Sequence, residues 1–310
     1  MVKLLYIIKS ARVSQWIKNV ALFAPIVFSG FLFVEGAMAR VFTAFLIFSI
    51  LTSAVYLFND VVDVKKDREH PIKKFRPIAS GKLPIYQAIF LFIVLAFSSL
   101  FVAFQLSTFF FISLLAYFVL NLGYTLIWKN IPVLDVISIA AGFVLRVYAG
   151  AFVIDVHMDV WFLLTVVSAS LFLAAGKRRS EITLLTGMGE DLSKHRKTLI
   201  QYTPDLLDSY VTMFANATWI SYAFFSFLQP PVTPEGRVLR IFTLLPRTLI
   251  NSKWMMMSVP LVIYVVMRYL LLVYEKNKGE SPHRVLMSDK PILFAVSAWG
   301  AMIVAILYLL

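Results

Sequence analysis

The chain has no cysteine among its 310 residues. Disulfides, thiolate nucleophiles and cysteine-ligated zinc are thereby excluded. Histidine is scarce as well: His70, His157, His195 and His283 are scattered along the sequence, so an imidazole-based metal site is not expected. Charged residues make up 15%, against roughly 25% in an average soluble domain. Acid is the rarer sign, with 17 Asp and Glu facing 29 Lys and Arg for a net charge of +12. Such a surplus can mark a nucleic-acid binder, but here the basic residues fall in short segments between apolar runs. Anionic lipid and phosphate ligands account for it better, and no nucleic-acid partner is expected. No linker or shift of composition divides the chain, which reads as one domain over residues 1–310.

What the chain has in plenty is apolar: 60% hydrophobic residues and a mean hydropathy of +0.82. Soluble domains run at roughly 45 to 50% apolar, so a polytopic membrane protein is expected. Segments of the length needed to cross hydrocarbon occur at Val20–Val34, Val41–Phe58, Ile85–Phe104, Thr108–Trp128, Val133–Ile154, Val160–Gly176, Leu206–Leu228, Trp254–Tyr274 and Ile292–Leu310. That predicts nine transmembrane helices. Pro84 and Pro204 mark two helix starts, the second with Thr203 as its expected N-cap. Residues 1–18 form an amphipathic lead carrying Lys3, Lys9, Arg12 and Lys18. A signal peptide would look similar, and Ala37-Met38-Ala39 resembles a cleavage site. The length of the charged lead, the interruptions at Pro25 and Ser29 and the many later spans favour a first span instead. With the N-terminus cytoplasmic, 22 of the 29 Lys and Arg fall on that side and five on the other, Arg146 and Arg268 lying within spans. The positive-inside rule therefore predicts that orientation.

The most polar stretch runs from Tyr56 to Pro84. Asn59, Asp63 and Asp67 recur every fourth residue and so should share a helix face, with Asp60 one turn from Asp63. Carboxylates crowded at the C-terminal end of an apolar helix repel one another and oppose the helix dipole, so a cation is expected among them. Oxygen-only donors point to a hard ion, Mg²⁺, held by Asn59, Asp60, Asp63 and Asp67 and able to bridge to a substrate's phosphates. Asp60, Asp63 and Asp67 are the candidate catalytic carboxylates. The basic run that follows, with Lys73 and Arg76, is expected to hold the rest of a polyphosphate. The alternative, a solvated helix end with paired charges, is disfavoured because ionisable groups at membrane depth are usually functional.

Other polar residues extend this set. Lys18, in Arg12-x-x-Gln15-Trp16-x-Lys18-Asn19, is either a phosphate contact or a positive-inside anchor. Tyr124 and Lys129 end the fourth span and are either ligand contacts or interface anchors. Asp135 and Arg146 stand eleven residues apart on one face of the fifth span, as a functional pair or as buried groups that join helices. Arg268 is close enough to the cytoplasmic end of its span to reach the loop. A second basic stretch, Gly176-Lys177-Arg178-Arg179-Ser180-Glu181, leads to Lys194-His195-Arg196-Lys197-Thr198. Lys177, Arg178, Glu181 and Arg196 are its candidate substrate contacts. Residues 59–84 and 177–203 are expected to be cytoplasmic active-site loops.

NDxxDxxxD from Asn59 to Asp67, followed by HPxKxxRPxxxG from His70 to Gly81, resembles the first signature of the UbiA superfamily of intramembrane transferases. The resemblance implies an all-α bundle of nine transmembrane helices around a cytoplasm-facing polar cavity, Mg²⁺ as cofactor, and residence in a bacterial or archaeal plasma membrane among its lipids. Superfamily members that move isoprenyl groups usually carry a second Asp-rich motif; this chain has Glu181 behind three basic residues there. Exchanging acid for Lys and Arg suits a donor with an extra phosphate. Together with QWxKN, RPIASG and the span around Arg146, this resembles the superfamily's phosphoribosyl-transferring branch, with phosphoribosyl pyrophosphate as donor and a polyprenyl phosphate as acceptor. A homo-oligomer is left open. The competing expectations are a prenyltransferase acting on an aromatic or lipid acceptor and, from another class, a membrane transporter. The surface position of the acidic cluster and the lack of paired half-helices count against the transporter.

Overall fold

The computed structural model describes residues 2–70, 73–187, 198, 201–230, 253–274 and 288–309, and among them it is helical without a strand. In chain order the helices are α1 Val2–Ala11, a 3-10 helix Val13–Phe23, α2 Ala24–Phe28, α3 Ala37–Val62, α4 Val64–Glu69, α5 Ile85–Leu106, α6 Thr108–Leu126, α7 Leu134–Ile154, α8 Val160–Gly187, α9 Pro204–Leu228, α10 Val259–Tyr274 and α11 Lys290–Tyr308. Short 3-10 turns at Lys73–Phe75 and Trp128–Asn130 lie between.

Among the described residues eight segments are long and apolar enough to cross a membrane. They match the expected spans from the second to the ninth to within a few residues at most ends. The expected first span differs. Its first residues belong to the 3-10 helix and to α2, five residues long, which ends at Phe28, and residues 29–34 are non-helical. The apolar run is real, but its helix, Val13–Phe28, stops at Ser29, and Gly30 takes a positive φ of 79° that continues no helix. The second difference lies in the expected 177–203 loop: residues 177–187 continue α8.

The chain packs as two compact units, residues 1–157 with 189–203, and residues 158–188 with 204–310. In the first, α3 is central, apolar all round and with much of its surface covered, as such a helix must be. Its Val41, Phe48, Leu51 and Ala54 form a core with Leu22, Ile26, Leu114 and Tyr117. Phe48 and Tyr117 meet at 4.6 Å between ring centroids. Ser49, Thr52 and Ser53 are buried on the same helix. The Thr52 and Ser53 hydroxyls donate to the carbonyls of Phe48 (2.9 Å) and Ser49 (3.0 Å), which satisfies them where no water reaches. The 3-10 helix lies so close to α7 that a Cβ on Gly150 would come 2.0 Å from the Leu22 carbonyl oxygen. Only glycine fits there.

In the second unit α8 pairs with α9, and Phe172, Ala175, Val211, Ala215, Tyr269 and Ile292 form the core. Gly176 admits the Tyr269 ring, which a Cβ would meet at 3.1 Å. Asp289 caps α11, its side chain accepting from the Ile292 amide at 3.1 Å with Pro291 in the first turn.

Candidate active site

The carboxylate row stands where α3 gives way to α4. Asp63 is the junction (φ −89°, ψ 5°), yet the backbone keeps helical connections across it, from the Asp63 amide to Asn59 O (2.9 Å) and from the Asp67 amide to Asp63 O (2.8 Å). The four-residue spacing thus survives the junction, but the three acids do not share one partner. Asp60 and Asp67, 2% and 4% exposed, are bridged by Arg76, whose Nη1 lies 3.1 Å from Asp60 Oδ1 and 2.6 Å from Asp67 Oδ2. Asp63 turns to Lys129, with Nζ 2.6 Å from Oδ1. Arg12 Nη2 also donates to Asp60 Oδ1, and its guanidinium lies 4.8 Å from the centroid of the Tyr56 ring.

The loop after α4 is shaped to deliver Arg76. Arg68 Nε donates to the Ala79 carbonyl (3.1 Å), the Leu83 amide donates to Pro77 O (2.9 Å), and Gly81 turns the chain at φ 76°. Ile78 and Leu83 anchor this loop in a small core with Leu57 and Ala88. Lys73 sits in the 3-10 turn, its amide 3.4 Å from His70 Nδ1.

The donor set suits a hard divalent ion in kind: all oxygens, with Asn59 Oδ1 buried and without a hydrogen-bond partner, an uncompensated acceptor of the sort a cation would satisfy. Among the described residues, however, no three acidic or histidine side chains converge closely enough to hold an ion together. Their charges are met by Arg12, Arg76 and Lys129 instead.

Arg146 and Asp135 do not pair. The Arg146 guanidinium is buried, with Nε donating to Asn19 Oδ1 (2.8 Å), Nη1 to the Gly142 carbonyl (2.7 Å) and Nη2 to the Tyr117 hydroxyl (2.9 Å), among the rings of Phe48, Tyr117 and Phe143. Asn19 in turn donates to Ser49 Oγ (2.9 Å), and Trp16 Nε1 to Ser53 Oγ (2.9 Å). Arg146 therefore ties the 3-10 helix, α6 and α7 together. Asp135 accepts from the Tyr202 hydroxyl (2.7 Å), which itself accepts from the Val133 amide (2.7 Å). These bonds hold Val133 at φ 67°, a conformation costly for a β-branched residue. Lys18 is half-buried. Burial, then the like charges of Arg146 and Arg12, lower its pKa to about 8, with Tyr124 opposing.

In the second unit Arg178 is fully buried and donates to Glu181 Oε2 (2.8 Å) one turn on. Arg179 Nε donates to Asp208 Oδ1 (2.6 Å), which also takes the Tyr274 hydroxyl (2.9 Å). Lys177 precedes them on α8. Arg268 reaches the end of the segment between α10 and α11, where it clasps Asp289 through Nε (3.2 Å) and Nη2 (3.0 Å). Arg196 lies outside the described residues. Arg12, Asn19, Tyr117 and Tyr202 were not singled out from sequence as site residues. Arg12 and Asn19 belong to the RxxQWxKN run, which could have drawn attention to them; Tyr202 has no such signal.

The family model described as the UbiA prenyltransferase family matches residues 22–297. The chain is 35% identical over 308 residues to the decaprenyl-phosphate phosphoribosyltransferase of Corynebacterium glutamicum, covering 98% of this chain and 87% of that one. It is 33% identical over 306 residues to that of Mycolicibacterium smegmatis, covering 97% and 92%. Among solved structures, a UbiA homolog from Archaeoglobus fulgidus bound to GPP and Mg²⁺ superposes with a TM-score of 0.68 at 17% identity, over 97% of this chain and 99% of that one. A digeranylgeranylglyceryl phosphate synthase gives 0.61, also at 17%, over 98% and 99%. At these identities the solved structures show the fold.

Proposed function

This chain belongs to the UbiA prenyltransferase family, and we propose that it is a membrane transferase that moves the 5-phosphoribosyl group of phosphoribosyl pyrophosphate to a polyprenyl phosphate, releasing pyrophosphate. The observation that carries the reading is the near-full-length identity to phosphoribosyltransferases acting on decaprenyl phosphate. Two features of the chain agree with it. Asp60, Asp63 and Asp67 stand among Arg and Lys from three other segments, a mixture of signs that suits a metal–polyphosphate complex. Where prenyl-transferring relatives are expected to bring a second acidic cluster, this chain has Lys177, Arg178 and Arg179 with Glu181.

Asn59, Asp60, Asp63 and Asp67 would hold Mg²⁺, which when bound would offset the charge that grows on the departing pyrophosphate. Arg76 and Lys73 supply charge-assisted donors to the phosphate oxygens. Lys177, Arg178 and Glu181 of the second unit are retained as candidate contacts for the additional phosphate. The acceptor is a phosphate monoester, largely ionised at neutral pH with a second pKa of about 6 by analogy with phosphorylated side chains. Its oxygen attacks the anomeric carbon without help from a base, and a direct displacement inverts that centre. We read residues 1–310 as one functional domain, and the carboxylate row as facing the cytoplasm, where a soluble phosphorylated donor is found. A cysteine replacing exposed Lys82, in a chain that has none, should then be labelled from the cytoplasmic side alone; labelling from outside intact cells would reverse the orientation.

The deciding experiment incubates purified protein and Mg²⁺ with polyprenyl phosphate and either labelled phosphoribosyl pyrophosphate or a labelled isoprenyl diphosphate. Ribosyl label should enter the lipid product. Consumption of the isoprenyl diphosphate alone would establish prenyl transfer instead.

A further inference from the structure

Arg12 reaches the carboxylate row from outside the motif, 48 residues before Asp60. It ends α1 in the left-handed conformation, φ 50° and ψ 49°, where glycine is the inexpensive choice. A residue with a long charged side chain at such a place has to be held there. Its guanidinium is held twice, by Asp60 Oδ1 and by the face of Tyr56.

The same Asp60 oxygen also takes Arg76, which carries on to Asp67. Two guanidiniums thus face two nearly dry carboxylates, and Lys129 faces Asp63. Three acids are balanced by three bases. Asp60 Oδ1 already accepts from both guanidiniums, so a divalent ion that took this oxygen would compete with them for its lone pairs. Arg12, which among the described residues has no second carboxylate as Arg76 has in Asp67, would be the guanidinium set free there, a planar fork of donors that fits a phosphate oxygen pair.

We propose that Arg12 is an exchanging ligand-binding residue: it neutralises Asp60 before the donor arrives and transfers to the donor's pyrophosphate when the metal takes Asp60. No bond is made or broken in the exchange. The inference rests on the reading that Asp60 takes Mg²⁺, and it assigns to the N-terminal segment a contact with the departing group.

The exchange predicts effects of opposite sign. In the full chain in detergent, Arg12→Gln removes a competitor for Asp60, so titration with Mg²⁺ alone should show severalfold tighter binding than wild type. Titration with inorganic pyrophosphate at saturating Mg²⁺ should show binding weaker by about ten- to a hundredfold, the loss of charge-assisted hydrogen bonds. Arg12→Lys keeps the charge without the fork and should move both quantities in the same directions by less; it also serves if Arg12→Gln does not fold. A merely structural ion pair would shift both titrations the same way or neither, and that result overturns the proposal. Pyrophosphate is common to both candidate donors, so these readouts stand whichever group is transferred. Failure of wild type to bind Mg²⁺ at all would remove the metal reading together with the exchange.

Discussion

Lys129 Nζ lies 2.6 Å from Asp63 Oδ1, joining side chains 66 residues apart. Lys129 is 6% exposed, and it enters from the turn between α6 and α7 rather than from the acidic motif or its basic tail. An ammonium so far from water must be paired, and removing Asp63's charge strands it.

Lys129→Met and Asp63→Asn should each lower stability, by about 1 to 3 kcal/mol given that Asp63 is only partly buried. The double mutant should lose much less than the sum. Denaturant midpoints of the four proteins in one detergent measure this coupling. Additivity within roughly 0.5 kcal/mol would show that the two groups do not depend on each other.

The sequence made the acids legible and their partners obscure. Asn59, Asp60, Asp63 and Asp67 stand out because polar spacing at the end of an apolar helix has few innocent explanations. Their neutralisation by Arg12 and Lys129 depends on how α1 and the α6–α7 turn pack on α3, which no local pattern encodes. The long spans were legible from apolar run length. Of the expected first span only a shorter apolar helix, Val13–Phe28, covers the start, because run length does not register the turn at Ser29-Gly30. Asp135 and Arg146 were correctly placed within one helix, but sharing a face is not sharing a partner: Arg146 found Asn19 and Tyr117, and Asp135 found Tyr202.

Arg146 is expected to act on stability rather than on substrate affinity. All three of its donor nitrogens are engaged within the protein, and lysine can replace only part of that planar fork. Arg146→Lys should cost about 2 to 4 kcal/mol and lower the melting temperature, while KM for both substrates stays unchanged in the folded fraction. A raised KM with an unchanged melting temperature would place Arg146 in contact with substrate.

Lys18 gives stability an alkaline dependence. Its pKa is lowered from 10.5 to about 8 in the folded chain, chiefly by burial. Below about pH 8 both folded and unfolded chains hold the proton, and the folded state bears the cost of a poorly solvated ammonium near Arg146 and Arg12. Between about pH 8 and 10.5 the unfolded chain keeps a proton that the folded chain has lost, so stability rises with pH across that window, by up to about 3 kcal/mol. Lys18→Met should flatten this slope. Denaturant midpoints measured across the window for both proteins test it, and identical profiles would mean that Lys18 titrates normally.

Gly150 and Gly187 provide a matched pair for testing the packing that brings the 3-10 helix to α7. Both glycines are helical. A methyl group at Gly150 would lie 2.0 Å from the Leu22 carbonyl oxygen, a backbone atom that cannot rotate aside, whereas at Gly187 nothing lies within 4 Å. Helix propensity alone favours alanine over glycine by about 1 kcal/mol in a helix interior such as Gly150, and by less at Gly187, the last residue of α8. Gly187→Ala should therefore be neutral or slightly stabilising. Gly150→Ala must push α7 off the 3-10 helix, which carries Asn19 and the chain leading back to Arg12, and overpacking of this kind costs about 1 to 3 kcal/mol or more. Because Asn19 accepts from Arg146 across that same contact, the loss should be partly shared with Arg146→Lys: the double mutant should lose less than the two singles combined. Equal melting temperatures for Gly150→Ala and wild type would show that the close approach of these helices is not required.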